Sequence, residues 1–430
     1  MRGVLFGFIG LASLLAIAWL FSANKRKVDW RLVGIGVSLQ IVFAAFVLLT
    51  PWGATVFGWL SRMFVGLLGF TQQGAVFIFG DLARGEGFGF IFAFQVLPTI
   101  IFFASFMAVL YHLGAMQKIV EGMAWVITKL MRASGAETLS VCANAFIGQT
   151  EAPLVVKPYI GRMTQSELLT LMVGGMATIA GGVLGAFVMM LGGTDPEAQA
   201  FFAKHLITAS IMAAPATIVI AKILYPETQE PLTRGTVRIE VEKTTANVID
   251  AAAAGAADGL RLALNVGAML LAFIALIALI NYPLTWIGDV TGLSEELGRP
   301  TDLSTLLGYL LAPLAWLIGV PWAEASTIGG LIGTKVVLNE FVAYLQLAEI
   351  VQGRVENVSL SPQATLIATY ALCGFANFSS IAIQIGGIGG LAPERRQDLA
   401  RFGLTAVLGG SLVTFMTATI AGVLTNLGAG

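Results

Sequence analysis

The chain has 430 residues, of which 57% are hydrophobic and only 11% charged. This balance excludes an ordinary soluble domain and indicates an integral membrane protein that is surrounded mainly by the lipid bilayer. The formal net charge is −1, and no run of Lys and Arg is interleaved with aromatic residues, so the composition does not favour nucleic-acid binding.

Apolar stretches that could cross a membrane recur along the chain. A bilayer core about 30 Å thick needs roughly 20 apolar residues in a helix. Eight stretches have this length, and they lie near 3–22, 32–51, 89–112, 166–191, 203–223, 260–281, 361–391 and 402–427. The sequence therefore predicts an all-α membrane protein with eight transmembrane helices.

The first apolar stretch is followed by the cationic cluster Lys25, Arg26 and Lys27. A signal peptide is the alternative interpretation, but its cationic cluster would precede the apolar run. We therefore expect a first span whose N-terminus lies outside. Most of the 24 lysines and arginines, including Arg238 and Lys243, then fall on the cytoplasmic side. Eight spans would also return the C-terminus to the outside.

Two regions, 117–161 and 301–350, are too interrupted for clean spans and too apolar for ordinary loops. Each begins with an amphipathic or interfacial segment and continues into a hairpin punctuated by glycine. Irregular backbone persists at membrane depth only where protein buries it or where it lines a wet cavity. We expect two re-entrant helical hairpins.

Short sequence matches relate the two regions to each other. AWVI and IGQT in the first region correspond to AWLI and IGTK in the second, and GGMATIAGG at 174–182 corresponds to CGFANFSS at 373–380. The opposite orientations of the two hairpins predict an inverted internal repeat. The glycine runs GGVLGAF and IQIGGIGG are expected to interrupt the helices that follow the hairpins, with close helix packing as the alternative explanation.

Two glutamates stand in strongly apolar surroundings. Glu151 lies in GQTEAPLVV and Glu340 in LNEFVAYL. A charge at the bilayer centre costs about 2.5–3.5 kcal/mol on insertion scales, so a carboxylate there is a candidate functional group. Structural ion pairs with Lys157 or Lys335 are the alternative.

Neutral polar and aromatic groups accompany these carboxylates. Amides and hydroxyls surround Glu151 and Glu340 and recur in CGFANFSS; they belong to Gln149, Thr150, Asn339, Asn377, Ser379 and Ser380, with Phe375 and Phe378 nearby. No arginine accompanies them to suit an anion. The set favours an uncharged ligand that carries hydroxyls, amide-like edges and a flat ring.

The motifs GQTEAP, VLNEF and CGFANFSSIAIQIGGIGGLAPERR resemble those of the concentrative nucleoside transporters, and the resemblance extends over most of the chain. It implies a symporter that imports nucleosides by an elevator movement, and a homotrimer in a bacterial cytoplasmic (inner) membrane. It also implies which residues contact the substrate. The residues that match positions near the nucleobase are Gln149, Thr150, Glu151, Val183 and Phe375. The residues that match ribose-binding positions are Glu340, Asn377 and Ser380.

The resemblance further implies a sodium site. Its side-chain ligands would be Asn144 and Thr178, and its backbone ligands the carbonyls of Ile147 and Ile179. Oxygen ligands suit a hard cation, and helix breaks supply free carbonyls. A proton is the alternative coupling ion, because a carboxylate such as Glu340 could bind one.

The resemblance also divides the chain into functional parts. Residues 1–112 would form scaffold spans and an interfacial helix, and 225–300 a linker and a further scaffold span. Residues 113–224 and 301–430 would each contain one hairpin and one broken helix of the transport domain, with the last span at the end of the second part.

Three other functions remain to be compared with nucleoside symport. An enzyme is not expected, because His112 and His205 lie far in sequence from the polar motifs and form no Ser/His or metal-ligand pattern. A channel could also use broken, glycine-rich helices. A carrier for another neutral polar solute is the third alternative.

Overall fold

Helices make up the computed structural model, and no strand occurs in its described residues, 2–84, 89–235, 245–355 and 358–428. The all-helical membrane architecture expected from the sequence is confirmed. Arg238 and Lys243, which the sequence places on the cytoplasmic side, lie outside the described residues.

Side-chain caps begin several helices in the first half of the chain. Ser134 and Glu137 form a capping box, as do Thr164 and Glu167, so the first N–H groups of two buried helices are satisfied locally. The helices are α1 (Arg2–Leu20), α2 (Trp30–Leu49), α3 (Pro51–Phe79), α4 (Asp81–Arg84), α5 (Phe92–Gln95), α6 (Leu97–His112), α7 (Ala115–Met131), α8 (Gly135–Asn144), α9 (Lys157–Ile160), α10 (Gln165–Ala177), α11 (Gly181–Gly192) and α12 (Pro196–Leu224). Short 3-10 helices occupy Lys25–Lys27 and Ala152–Val156.

The second half follows a similar order of short and long helices. They are α13 (Val248–Thr291), α14 (Leu293–Leu297), α15 (Leu303–Leu317), α16 (Trp322–Val337), α17 (Glu340–Val351), α18 (Pro362–Ala371), α19 (Phe378–Leu391) and α20 (Arg396–Gly428), and a 3-10 helix, Pro393–Arg395, precedes α20. Asn339 and Asn377 are the N-caps of α17 and α19. Two of the polar residues singled out in the sequence therefore also start helices.

Among the described residues, seven segments are long and apolar enough to cross a bilayer, and they include six of the eight predicted spans. The predicted span at 3–22 corresponds to α1, a shorter apolar helix, and the one at 361–391 is divided between α18 and α19. The seventh segment is α3, between 51 and 79, where no span was predicted. Its threonines, glutamines and arginine make it the least apolar of the seven, which explains why composition alone did not reveal it.

Both interrupted regions contain pairs of helices joined by short breaks. In the first, α8 ends at Asn144 and the chain returns through the 3-10 helix and α9. In the second, α15 bends by 116° into α16, and residues 338–339 separate α16 from α17. These breaks are compatible with the expected re-entrant hairpins, which stay a prediction.

The two helices that follow the hairpins are both broken, but the breaks lie at different positions relative to the glycine runs. The first break, 178–180, directly precedes the glycines that begin α11, as expected. The second break is at 372–377, and α19 runs without interruption through the run IQIGGIGG, so that predicted interruption is wrong. A Cβ on Gly387 would lie 3.0 Å from the methyl group of Thr150. Close packing between helices accounts for this glycine.

Burial separates the helices into two groups. The spans formed by α10 with α11, by α12 and by α20 are almost entirely enclosed, whereas α2, α3, α6 and α13 expose most of their surface. The enclosed helices come from 113–224 and 301–430, the regions expected to form the transport domain. The burial pattern agrees with that division, which stays a prediction.

A buried ion cluster joins the helix ends beside the first hairpin. Lys222, near the end of α12, lies 2.8 Å from Glu137 of α8 and 3.1 Å from Glu227. Its ammonium also donates to the hydroxyl of Ser166 in α10. A buried charge needs such partners, because removing one would leave another without compensation. The cluster therefore attaches the start of α8 to α10 and α12.

We expect Gly259→Ala to lower the melting temperature of the detergent-purified protein. A Cβ there would lie 2.8 Å from the Ile101 Cα and 2.8 Å from the Ala104 Cβ, where α13 packs on α6. Overpacking of this kind costs about 1–3 kcal/mol. The control is Gly66→Ala, which meets nothing within 4 Å and should be neutral or slightly stabilising. Equal melting temperatures for the two variants would contradict this.

Candidate functional site

A buried carboxylate lies between the second hairpin and the second broken helix. Glu340 is the first residue of α17 and is only 3% exposed. The amide of Asn377 donates a hydrogen bond of 2.9 Å to its Oε2 atom. Among the described residues no other side chain donates to this carboxylate, so most of its acceptor capacity is available to a ligand.

Asn377 holds this arrangement in place because it caps α19. Its Oδ1 atom accepts hydrogen bonds from the Ser380 backbone N–H, at 2.9 Å, and from the Ser379 hydroxyl, at 2.7 Å. With its oxygen committed to the helix, the amide must present its nitrogen to Glu340. The start of α19 and the carboxylate of α17 are thereby fixed relative to each other.

The first hairpin joins the same network through Gln149. Its amide nitrogen donates to the Ser380 hydroxyl at 3.1 Å, and its oxygen accepts from Gln384 at 3.1 Å. Gln384 also donates to the Met172 carbonyl in α10 at 3.0 Å. One chain of side-chain hydrogen bonds and a helix cap thus connects the two hairpins and both broken helices.

The structure does not bring every predicted substrate residue into this network. Glu151 is exposed, and its side chain makes no hydrogen bond to a described residue, while Thr150 packs against Gly387. Val183 is buried in the first turn of α11, and Phe375 is partly buried in the second break. These two residues lie at the helix breaks, where their side chains can offer only apolar contacts.

Neither alternative ion pair is present among the described residues. Lys157 is exposed, and it does not lie within 4.0 Å of a carboxylate. Lys335 is buried, and its ammonium is bonded to a carbonyl and a hydroxyl and not to Glu340. Glu340 therefore forms no direct hydrogen-bonded ion pair with Lys335.

Two of the residues expected to bind sodium, Asn144 and Thr178, both lie next to Gly174 of α10. Asn144 ends α8 and packs against α10 at Gly174, one turn before Thr178: a Cβ on Gly174 would lie 3.5 Å from the Asn144 Nδ2 atom. The Asn144 nitrogen donates to the Ser140 carbonyl, but its oxygen is buried without a partner. An unpartnered buried oxygen costs free energy unless a donor or a cation approaches it.

The other three expected ligands also have free lone pairs. The Thr178 hydroxyl donates its proton to the Gly174 carbonyl at 3.0 Å, so its oxygen remains an acceptor. No backbone N–H of the described residues donates to the carbonyls of Ile147 or Ile179, both of which lie outside helices. Neutral oxygens in this number and type fit a sodium ion.

Gln384 is the site residue that the sequence analysis missed. It is fully buried in α19, within the otherwise apolar and glycine-rich IAIQIGGIGG. A single amide in such a stretch was the available signal, because a buried side-chain amide needs partners. Gln384 lies one turn after Ser380, but the sequence does not reveal which residues of other segments are its partners.

We expect Gln384→Leu to weaken binding of the nucleoside that the resemblance implies, with uridine as the probe, by about tenfold. The reason is that the Gln149 oxygen would lose its donor and the amide its orientation. Titration calorimetry on the purified protein at saturating sodium measures this. Gln73→Leu is the control, since Gln73 is exposed on α3 and makes no side-chain hydrogen bond to the described residues. Equal affinities in the two variants would show that Gln384 has no part in positioning Gln149.

Comparison with known proteins places this geometry in a family. The family descriptions "Na+ dependent nucleoside transporter N-terminus", "Nucleoside recognition" and "Na+ dependent nucleoside transporter C-terminus" match residues 9–82, 93–194 and 205–422. An uncharacterized transporter of Haemophilus influenzae is 45% identical over 99% of this chain and 99% of its own length. Sodium/nucleoside cotransporter 1 of Mus musculus is 40% identical over 98% of this chain and 64% of its own length.

Solved structures agree with these relatives. CNTnw in an inward-facing substrate-bound state superimposes with a TM-score of 0.88 at 44% identity and covers 100% of this chain and 99% of its own. A variant of CNTnw in an outward-facing state gives a TM-score of 0.89 at 42% identity with the same coverage. The chain belongs to the family of Na+-dependent, concentrative nucleoside transporters, which are multi-pass membrane carriers and not enzymes.

Proposed function

We propose that this protein is a secondary active symporter that imports nucleosides by using the sodium gradient. The observation that carries the proposal is the buried network of Glu340, Asn377, Ser380 and Gln149, which joins both hairpins around acceptors with free capacity. Alternating access is the mode of action of the family, as the inward- and outward-facing structures of CNTnw illustrate.

The substrate chemistry follows from the groups in the network. A carboxylate accepts hydrogen bonds from two neighbouring hydroxyls of a ribose, and such charge-assisted bonds are about twice as strong as neutral ones. The side chains of Gln149, Thr150 and Glu151, with Val183 and Phe375, supply amide, hydroxyl and apolar contacts for a nucleobase. Uridine or adenosine would satisfy both halves of the site.

Sodium would bind at Asn144, Thr178, Ile147 and Ile179, where the unpartnered oxygens fit it. When bound, the ion supplies positive charge at the C-terminal end of α10, which is the end of a helix that favours a cation. Asn144 and Ile147 belong to the first hairpin, and Gln149 follows them directly. Ordering this turn would therefore raise nucleoside affinity, which is the coupling that symport requires.

The energy available to this cycle is sufficient for accumulation. One cation that moves inward gains about 2.3 kcal/mol per 100 mV, in addition to its concentration gradient. The enclosed helices of 113–224 and 301–430 would move as the transport domain against the scaffold of 1–112 and 225–300. The resemblance supports a homotrimer in a bacterial cytoplasmic membrane, and the distribution of lysines and arginines supports both termini outside.

Uptake of radiolabelled uridine into proteoliposomes tests the proposal. We expect accumulation under an inward sodium gradient, saturation with uridine, and little uptake when potassium replaces sodium. Uptake that follows a pH gradient and ignores sodium would instead support proton coupling. Flux that does not saturate would indicate a channel, and a failure of uridine to compete would indicate another neutral solute.

A further inference from the structure

A buried lysine side chain lies close to the broken helices. Lys335 is fully buried near the end of α16. Its Nζ atom donates hydrogen bonds of 2.9 Å to the Ala371 carbonyl and 3.1 Å to the Thr414 hydroxyl. No carboxylate of the described residues lies within 4.0 Å of it. The hydrogen bonds of this ammonium all go to neutral oxygens, and the Glu340 carboxylate acts on it only through space. Such an arrangement is unusual inside a membrane protein, because buried charges generally have a direct charged partner.

The ligands of this ammonium repeat the chemistry of the sodium site. Ala371 is the last residue of α18, just as Ala177 is the last residue of α10, and a helix favours a cation at this end. Thr414 donates its own proton to the Ser411 carbonyl, at 2.9 Å, as Thr178 does to Gly174. In both places a threonine oxygen and a backbone carbonyl oxygen have lone pairs that are available to a cation.

The two places are adjacent in the fold. A Cβ on Gly374, in the break after α18, would lie 2.8 Å from the Met176 carbonyl and 3.0 Å from both the Ala177 carbonyl carbon and the Thr414 Cγ2 atom. The C-terminal end of α10 therefore packs directly against the break that follows α18. Each broken helix ends beside its own cation position, and the two ends are in contact.

We propose that the ammonium of Lys335 is a covalently attached cation that stabilises the end of the second broken helix, as a bound sodium ion would stabilise the end of the first. The inference rests on the proposed sodium site at Asn144 and Thr178. Lys335 stabilises the end of α18 and the break that carries Asn377, so the substrate site is ordered by one exchangeable ion. Lys335 is thus a positioning residue that sets the number of sodium ions used in each transport cycle.

Replacement of Lys335 by a small residue tests this role. In Lys335→Ala the ammonium is absent, and the Ala371 and Thr414 oxygens border a space that a second sodium ion can enter. We expect the Hill coefficient for sodium in uridine uptake to rise from about one to about two, because it is limited by the number of sites. Half-saturation should require about tenfold more sodium, as expected for the loss of one charged contact.

Three further variants separate this role from simple packing. Lys335→Met fills the space without charge and should abolish uptake at every sodium concentration, whereas Lys335→Arg should keep a Hill coefficient of about one. Lys204→Ala removes a half-buried lysine of α12 that forms no ion pair or side-chain hydrogen bond with the described residues, and it should resemble the parent. If Lys335→Ala does not transport, equilibrium binding of ²²Na⁺ to the purified protein replaces uptake as the measurement, with twice the parental amount expected.

Each result has a distinct meaning. A parent that takes up uridine without sodium would contradict the proposed coupling itself. A sodium-dependent parent beside a Lys335→Ala variant with an unchanged Hill coefficient, or unchanged ²²Na⁺ binding, would overturn the role of Lys335 and leave the coupling intact. Uptake by Lys335→Met at the parental level would likewise overturn the role of Lys335, because packing without charge would then suffice.

Discussion

Replacing Glu340 by glutamine should lower the affinity for uridine by about 100-fold. Hydrogen bonds to a charged group contribute about 1.5–3 kcal/mol each, and two ribose hydroxyls would lose a charged acceptor together. Glutamine keeps the shape of the side chain, and its oxygen can still accept from the Asn377 amide, so the site itself should remain folded. Titration calorimetry at saturating sodium measures the effect.

Discrimination against sugars without hydroxyls gives a sharper test of the same residue. The parent should reject a 2′,3′-dideoxynucleoside by a factor of about 10⁴, since the buried carboxylate would lose its partners. In Glu340→Gln this factor should fall to about tenfold, because an unpaired neutral acceptor costs less than an unpaired charge. A variant that keeps the parental ratio would show that Glu340 does not contact the sugar.

Glu349→Gln is the matched control for this experiment. Glu349 lies on the same helix, α17, where it forms a 2.8 Å ion pair with Arg354 on the exposed surface. Exposed pairs of this kind contribute about 0–1 kcal/mol. Uridine affinity should therefore stay close to the parental value in this variant.

Removal of one hydroxyl at the first helix break should selectively impair sodium binding. We expect Thr178→Val to raise the half-saturating sodium concentration for uridine uptake at least about tenfold, because a hard cation loses an oxygen ligand and gains no replacement. Asn144→Ala should have a similar effect, since its buried oxygen has no other partner. Both variants should still bind uridine when sodium is present in large excess.

Thr170→Val is the control for the first of these variants. Thr170 is buried on the same helix, α10, and donates to the Ser166 carbonyl four residues earlier, as Thr178 donates to Gly174. The two substitutions therefore remove the same local hydrogen bond, and only Thr178 lies at the break. Equal sodium dependence in the two variants would place the ion elsewhere.

Thermal stability provides a second readout that does not require transport. An ion that binds only the folded protein stabilises it by about 2.7 kcal/mol at 100 times its dissociation constant. A tenfold weaker site forfeits about 1.4 kcal/mol of this. Added sodium should thus raise the melting temperature of the parent and of Thr170→Val, and raise that of Thr178→Val distinctly less.

The sequence was most informative where a polar residue had no reason other than function to be in an apolar segment. Glu340, Asn377 and Ser380 were identified in this way, and the structure places them within one network with Gln149. Such residues are conspicuous because burying a polar or charged group near the centre of the membrane is costly.

Other features depended on packing, which composition does not report. Glycine runs predicted a break in α19, but a membrane helix tolerates glycine where neighbours pack closely, as Thr150 does on Gly387. The actual break coincides with Asn377, whose side chain caps the next helix. Glu151 and Glu340 looked alike in sequence, yet one is exposed and the other buried, because their hairpin arms face different surroundings.

The two arms of the first hairpin differ in how completely they are enclosed. Every residue of α8 is buried, and the Lys222 cluster holds its first turn, whereas the returning arm exposes Glu151, Leu154 and Lys157. Local opening is least costly where few enclosed contacts are lost. We therefore expect local opening at this hairpin to begin at the exposed turn around Glu151, because Arg395 donates to the Ile160 and Met163 carbonyls and holds the far end of the returning arm.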